Sequence, residues 1–131
     1  MATRTLISDA EASDEVRAVF DDIRKTRGSN FVNNFWRALA HDPIQLKAVW
    51  SELKVIMGPG TLDPITKEMI YIAVSVANGC DYCIHSHTAT AKAKGMTEVQ
   101  HSELASIIAM AGKTNHLVTA LQVPVDDAFR V

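Results

Sequence analysis

Asp63-Pro64-Ile65-Thr66-Lys67-Glu68-Met69-Ile70-Tyr71-Ile72-Ala73-Val74-Ser75-Val76-Ala77 is followed directly by Asn78-Gly79-Cys80-Asp81-Tyr82-Cys83-Ile84-His85-Ser86-His87. Asp63 before Pro64 is an N-cap followed by a proline at the first helical position, so a helix is predicted from Pro64 to about Asn78. Met69, Ile70, Ile72, Ala73, Val74, Val76 and Ala77 make it apolar nearly all the way round, the pattern of a buried central helix. The next helix carries both cysteines and is predicted to end near Lys94, with Gly95 in the left-handed position.

Helices with short breaks extend in both directions. Towards the N-terminus, Asp42-Pro43 repeats the same start signal for a helix through Leu46, Val49, Trp50, Leu53 and Ile56, which Gly58-Pro59-Gly60 ends. Before it a helix is expected over about Phe31 to Ala40. Ser13 can cap another from about Asp14 to Arg27, with Val16, Val19, Phe20 and Ile23 on one face and Gly28 as its stop. Ser8-Asp9-Ala10-Glu11 also reads as a capping box and would start that helix earlier. Towards the C-terminus, Thr97 to Gln100 is a capping box opening a helix whose Leu104, Ile107, Ile108 and Ala111 are expected to face inward. Leu117, Val118 and Leu121 suggest a short last helix before Pro124. No strand alternation is long enough to build a sheet. The expectation is an all-α, single-domain helical bundle of about six to seven helices over residues 1–131.

Composition excludes several classes of function. With 47% hydrophobic and 21% charged residues the chain is globular in type. Its net charge of -2 argues against nucleic acid or an anionic membrane surface, which need a basic field. The start lacks the apolar stretch of a secretory signal, and the longest apolar run falls short of the roughly 20 residues a bilayer requires. The expected compartment is the reducing cytoplasm, where a close cysteine pair is catalytic or metal-binding more often than a permanent staple.

Cys80 and Cys83 are the only cysteines. With His87 they fall on one stripe of a helix, two sulfurs placed for thiol–disulfide chemistry and an imidazole to move the proton. Cys80 lies nearest the helix N-terminus, where free backbone N–H groups and the dipole favour a thiolate. The alternative is zinc, for which Cys80, Cys83 and His87 give three ligands and His85 or Glu68 a fourth. Glu68 has two readings: a carboxylate in an apolar helix that needs a partner, or an acid complementing a helix N-terminus. His41, His101 and His116 have no partners at catalytic spacing and suit surface or capping positions. Trp36, Trp50, Phe31 and Phe35 line a pocket or a seam, or pack the core, and core packing is preferred for Trp50. Lys92 and Lys94 read as ordinary charges at a helix C-terminus.

Glu68, eleven residues, then Cys80-x-x-Cys83-x-x-x-His87 resembles the signature of the alkylhydroperoxidase D and carboxymuconolactone decarboxylase superfamily. Asn34-Phe35-Trp36-Arg37-Ala38-Leu39-Ala40-His41-Asp42-Pro43, Leu62-Asp63-Pro64 and Asn78-Gly79-Cys80 extend the likeness over roughly residues 13–112. The resemblance implies a thiol-dependent peroxidase that reduces hydrogen peroxide or organic hydroperoxides. In it Cys83 attacks the peroxide, Cys80 resolves the sulfenic acid to a disulfide, and Glu68 and His87 relay protons. It further implies an external thiol or dithiol reductant, no cofactor or metal, and a homo-oligomer, a trimer or hexamer. The apolar fraction of so small a helical chain also argues for self-association. The alkylhydroperoxidase branch has a histidine immediately before the second cysteine, where this chain has Tyr82. A phenol with a pKa near 10 is not the same near-neutral proton carrier. His85 lies off the stripe. The other branch, lactone decarboxylation, needs no redox pair; the intact cysteines and the lack of an arginine cluster around the motif count against it.

Overall fold

In the computed structural model, which describes residues 2–130, the regular structure is all helical, and no strand occurs among the described residues. The chain divides into two compact units, one up to Gly58 and one from Pro59 onward.

The first unit holds α1 (Asp14–Arg27), α2 (Asn34–Leu39) and α3 (Pro43–Ile56). Ser13 caps α1 by accepting from the Val16 N–H, and Gly28 ends it with φ of 63°. Ser8 and Glu11 do form reciprocal bonds, but they close a separate turn ahead of the helix. The expected helix from Phe31 is shorter than its sequence suggests. Asn33 is extended and acts as the N-cap, so α2 begins at Asn34 and Phe31 is left exposed. Phe20, Ile23, Trp36 and Leu46 are buried almost completely, and each contributes about 1.5–3 kcal/mol of transfer free energy. Trp36 and Trp50 pack edge to face at 5.3 Å, and the Trp50 indole N–H donates to Asp22 at 2.7 Å. Trp50 is therefore a core residue, as its spacing suggests. An open groove of about 780 Å³ runs between α1 and α3, lined by Val19, Asp22, Ile44, Lys47 and Trp50 among others. It contains neither cysteine.

The second unit holds α4 (Pro64–Ala77), α5 (Asp81–Ala93), α6 (Glu98–Ala120) and a 3-10 turn over Asp127–Phe129. Its core joins Ile72, Ala91, Met96 and Leu104, with Ile65, Met69 and Ile108 packed against them. The capping box at Thr97 and Gln100 is formed as expected. Two expectations are corrected. The segment with Leu117, Val118 and Leu121 is no separate helix: α6 continues through it to Ala120, and Gln122 with φ of 50° follows. Of its residues expected inside, Leu104 and Ile108 are, while Ile107 and Ala111 are exposed. Nor is α4 buried all round. Glu68, Ile72 and Ser75 form its buried stripe, packed towards α5 and α6, whereas Ile70 and Val74 stand about half exposed. Two neighbouring helices cover only one side of such a helix. No helix is long and apolar enough to cross a membrane among the described residues.

Candidate active site

The junction between α4 and α5 sets the cysteines. Gly79, with φ of 67°, ends α4: its N–H donates to Val76 at 3.1 Å and the Cys80 N–H donates to Ser75 at 2.9 Å. This paired closure is a Schellman motif, which requires the left-handed residue. Cys80 is thus the last capping residue of α4 and the N-cap of α5 at once. Its Sγ accepts the Cys83 backbone N–H at 3.4 Å. Both cysteines are free thiols and both are partly buried.

From Cys80 the inner face of α5 runs through Cys83, His87, Ala91 and Lys94, the periodicity of one helical stripe. Glu68 meets it from α4. Its side chain is only 4% exposed, and Oε2 lies 2.6 Å from Nδ1 of His87. The second oxygen, Oε1, accepts from Lys94 Nζ at 2.7 Å. Burial pushes the Glu68 carboxyl up, but the hydrogen bonds and charges of His87 and Lys94 outweigh it and hold the group below its ordinary value. An ionised carboxylate only accepts, so Nδ1 of His87 carries the hydrogen and Nε2 is the ring's free base in its neutral form.

Tyr71 stacks on the His87 ring, centroids 3.7 Å apart. Its phenol is raised by burial first and then by the charges of Cys83, Cys80 and Glu68, so it stays a neutral donor in the field of both sulfurs. The Cys83 thiol is pushed up to about 11, by burial first and then by its hydrogen bond to Cys80 and the negative charge there. In the resting pair Cys83 keeps its proton.

Glu68, His87 and the two cysteines fall on facing stripes of one helix pair, and Glu68 has the partner its burial demands. Tyr71 and Lys94 are the site's two members that the sequence does not assign to it. Lys94 carries a legible signal, since it lies seven residues beyond His87 on the same stripe; Tyr71, within the apolar run of α4, carries none. The reading of Lys94 as an ordinary terminal charge is corrected by its bond to a buried acid, whereas Lys92 pairs with exposed Glu98. His85 is exposed, and His41 bonds the Thr5 carbonyl at 2.7 Å. No three His, Cys, Asp or Glu side chains converge on a metal position among the described residues.

The class of protein is thus a small all-helical one with a dithiol beside a buried Glu–His pair. Residues 45–126 match the carboxymuconolactone decarboxylase family, and the chain belongs to it. It is similar to the crystal structure of the alkylhydroperoxidase AhpD core of Rhodospirillum rubrum, with 62% identity and a TM-score of 0.97. That likeness covers 100% of this chain and 98% of the other. An uncharacterised protein of Cupriavidus necator is 32% identical over 67% of this chain and 79% of its own length. Uncharacterised protein 4 in the cox locus of Paracoccus denitrificans is 38% identical over 38% of this chain and 45% of its own.

Proposed function

We propose that the protein is a thiol-dependent peroxidase that uses Cys80 and Cys83 as its redox pair. The observation that carries this reading is the buried Glu68–His87 bond of 2.6 Å on the helix pair that holds the two free thiols. A thiol held near 11 needs a base to become a nucleophile, and His87, oriented by Glu68, is the base at hand. The likeness to an alkylhydroperoxidase core supports the same chemistry.

In this scheme His87 draws the proton from Cys83, and the thiolate attacks the outer oxygen of the peroxide. The O–O bond breaks, Cys83 becomes a sulfenic acid, and the alkoxide leaves as the alcohol with the proton returned through His87. Cys80 then attacks the Cys83 sulfur, expelling water and closing the disulfide. The dithiol loses two electrons and the peroxide gains them. An external thiol or dithiol restores the reduced pair by exchange. Tyr71 walls one face of the His87 ring, and Tyr82 stands where the related branch places a histidine between the cysteines.

A second assignment of roles follows from the N-cap position of Cys80, which favours negative charge there and would make Cys80 the attacking sulfur. Intact mass after one equivalent of cumene hydroperoxide separates the two. Wild type is expected to lose about two mass units, and Cys80→Ser to gain about sixteen as a sulfenic acid at Cys83. A gain in Cys83→Ser instead reverses the roles. Unchanged masses in all three proteins refute the peroxidase reading.

The chain is also proposed to act as a homo-oligomer. Ile107, Met110, Leu117 and Leu121 form an exposed apolar stripe along α6, and Ile70 and Val74 another on α4. A second copy would remove these surfaces from water. Light scattering reads the assembly directly, and a monomer at micromolar concentration would refute it.

A further inference from the structure

Lys94 lies two helical turns beyond His87 and reaches the same carboxylate. The two oxygens of buried Glu68 are held by different side chains, Oε1 by Lys94 Nζ at 2.7 Å and Oε2 by His87 Nδ1 at 2.6 Å. The backbone fixes where Lys94 sits. Gly95, with φ of 107°, and the Met96 N–H bonded to Ala91 at 2.9 Å close α5 in a second Schellman motif, with Lys94 as its C-cap. Its side chain remains 34% exposed, so the ammonium is partly hydrated while its charge acts on an acid buried from water.

We propose that Lys94 is a positioning residue of the dithiol site: by occupying Oε1 it anchors the Glu68 carboxylate and leaves Oε2 to accept from Nδ1–H of His87. A carboxylate with a single partner could rotate about its last bond and offer either oxygen; two partners fix the plane. The imidazole is fixed in turn, with Nε2 left as the base. Lys94 also opposes the burial that would otherwise protonate the acid. Among the described residues, His87 and Lys94 from α5 bond to Glu68, and Tyr71 from its own helix feels its charge. From α6, Glu98, His101, Glu103, Lys113 and His116 make no hydrogen bond or ion pair with it among the described residues. Lys94 is thus a permanent cation in direct contact with this carboxylate.

The consequence for turnover rests on the peroxidase reading; the hold on Glu68 does not. The test is carboxyl-carbon NMR titration of the full chain as wild type, Lys94→Met and Lys94→Arg, with the Glu68 signal assigned by its loss in Glu68→Gln. Lys94→Met is expected to move the Glu68 midpoint upward by about one to two pH units, and Lys94→Arg to restore it. Single-turnover reaction with cumene hydroperoxide at neutral pH is expected to slow about tenfold in Lys94→Met and recover in Lys94→Arg. Superimposable titrations in wild type and Lys94→Met overturn the proposal, and so does a moved titration with an unchanged rate. A wild type that does not react with peroxide sinks the peroxidase reading, and the titration then decides the role of Lys94 alone.

Discussion

Tyr71 covers one face of the His87 ring, with centroids 3.7 Å apart and planes 21° from parallel. The contact comes from α4, three residues after Glu68, so one helix supplies both the acceptor at Nδ1 and the aromatic wall. Stacking restrains the tilt of the imidazole, and the carboxylate restrains its rotation.

Replacing Tyr71 separates ring from hydroxyl. Tyr71→Phe keeps the stack and is expected to leave peroxide reduction within about threefold of wild type. Tyr71→Ala frees His87 and is expected to lose tenfold or more, because loosened geometry at a reacting group costs about that much or greater. It also destabilises the fold by about 0.5–1.5 kcal/mol beyond the lost burial. Stopped-flow rates and urea midpoints on the same two variants check both statements. A Tyr71→Phe protein as slow as Tyr71→Ala would move the role from the ring to the phenol.

The two thiols are expected to label unequally. Cys83, raised to about 11, is protonated at neutral pH, and its proton is held partly by Cys80. Limited iodoacetamide at neutral pH should therefore mark Cys80 first, as read by peptide mass. Substituting Cys80 by Ser removes the neighbouring negative charge and that sulfur's hydrogen bond, so Cys83 should ionise at lower pH than in wild type. Faster labelling of Cys83 than Cys80 in the intact pair would contradict this order.

The elements whose ends are written in local chemistry were legible from the chain. Asp42-Pro43, Asp63-Pro64 and Thr97 with Gln100 fix helix starts through bonds three residues long, and the structure forms each of them. The all-helical class followed from such signals along the whole chain, and the family from one spacing, Glu68 to His87. What failed depends on neighbours. The apolar sequence of α4 states that its surface avoids water but not which side meets α5 and α6, so Ile70 and Val74 were wrongly placed inside. Phe31 was counted as helical because propensity cannot register the extended backbone of Asn33. Lys94 was missed because a lysine at a helix end has a sufficient local reason to be there, and the buried acid it meets is 26 residues away.

Acid should weaken the fold through Glu68. Its folded value lies below the ordinary one, so its contribution is full above the unfolded value of about 4.3 and is lost as pH falls through the folded value. Glu68→Gln lacks that contribution at every pH. Urea midpoints from about pH 6 to about pH 3 should therefore show wild type ahead of Glu68→Gln at the upper end and converging with it at the lower. The depressed Asp9, Asp22 and Asp63 remain in both proteins and cancel in the difference. A gap that stays constant with pH would mean that the Glu68 charge contributes nothing to folding.

Gly79 tests whether the turn itself places the sulfurs. A Cβ there would meet nothing within 4 Å, so any cost of Gly79→Ala is conformational, from holding alanine at φ of 67°. That cost is about 1–2 kcal/mol, and relieving it means loosening the bonds that seat Cys80 as N-cap. Gly112 in α6 is the control: space is equally open and φ is not positive, so Gly112→Ala should stabilise by up to about 1 kcal/mol. Opposite signs in urea melts are expected, with slower disulfide closure after peroxide in Gly79→Ala alone. Equal stabilisation by both would mean that the turn accepts a side chain without strain, and the cysteines would then owe their placement to α5 packing on α4.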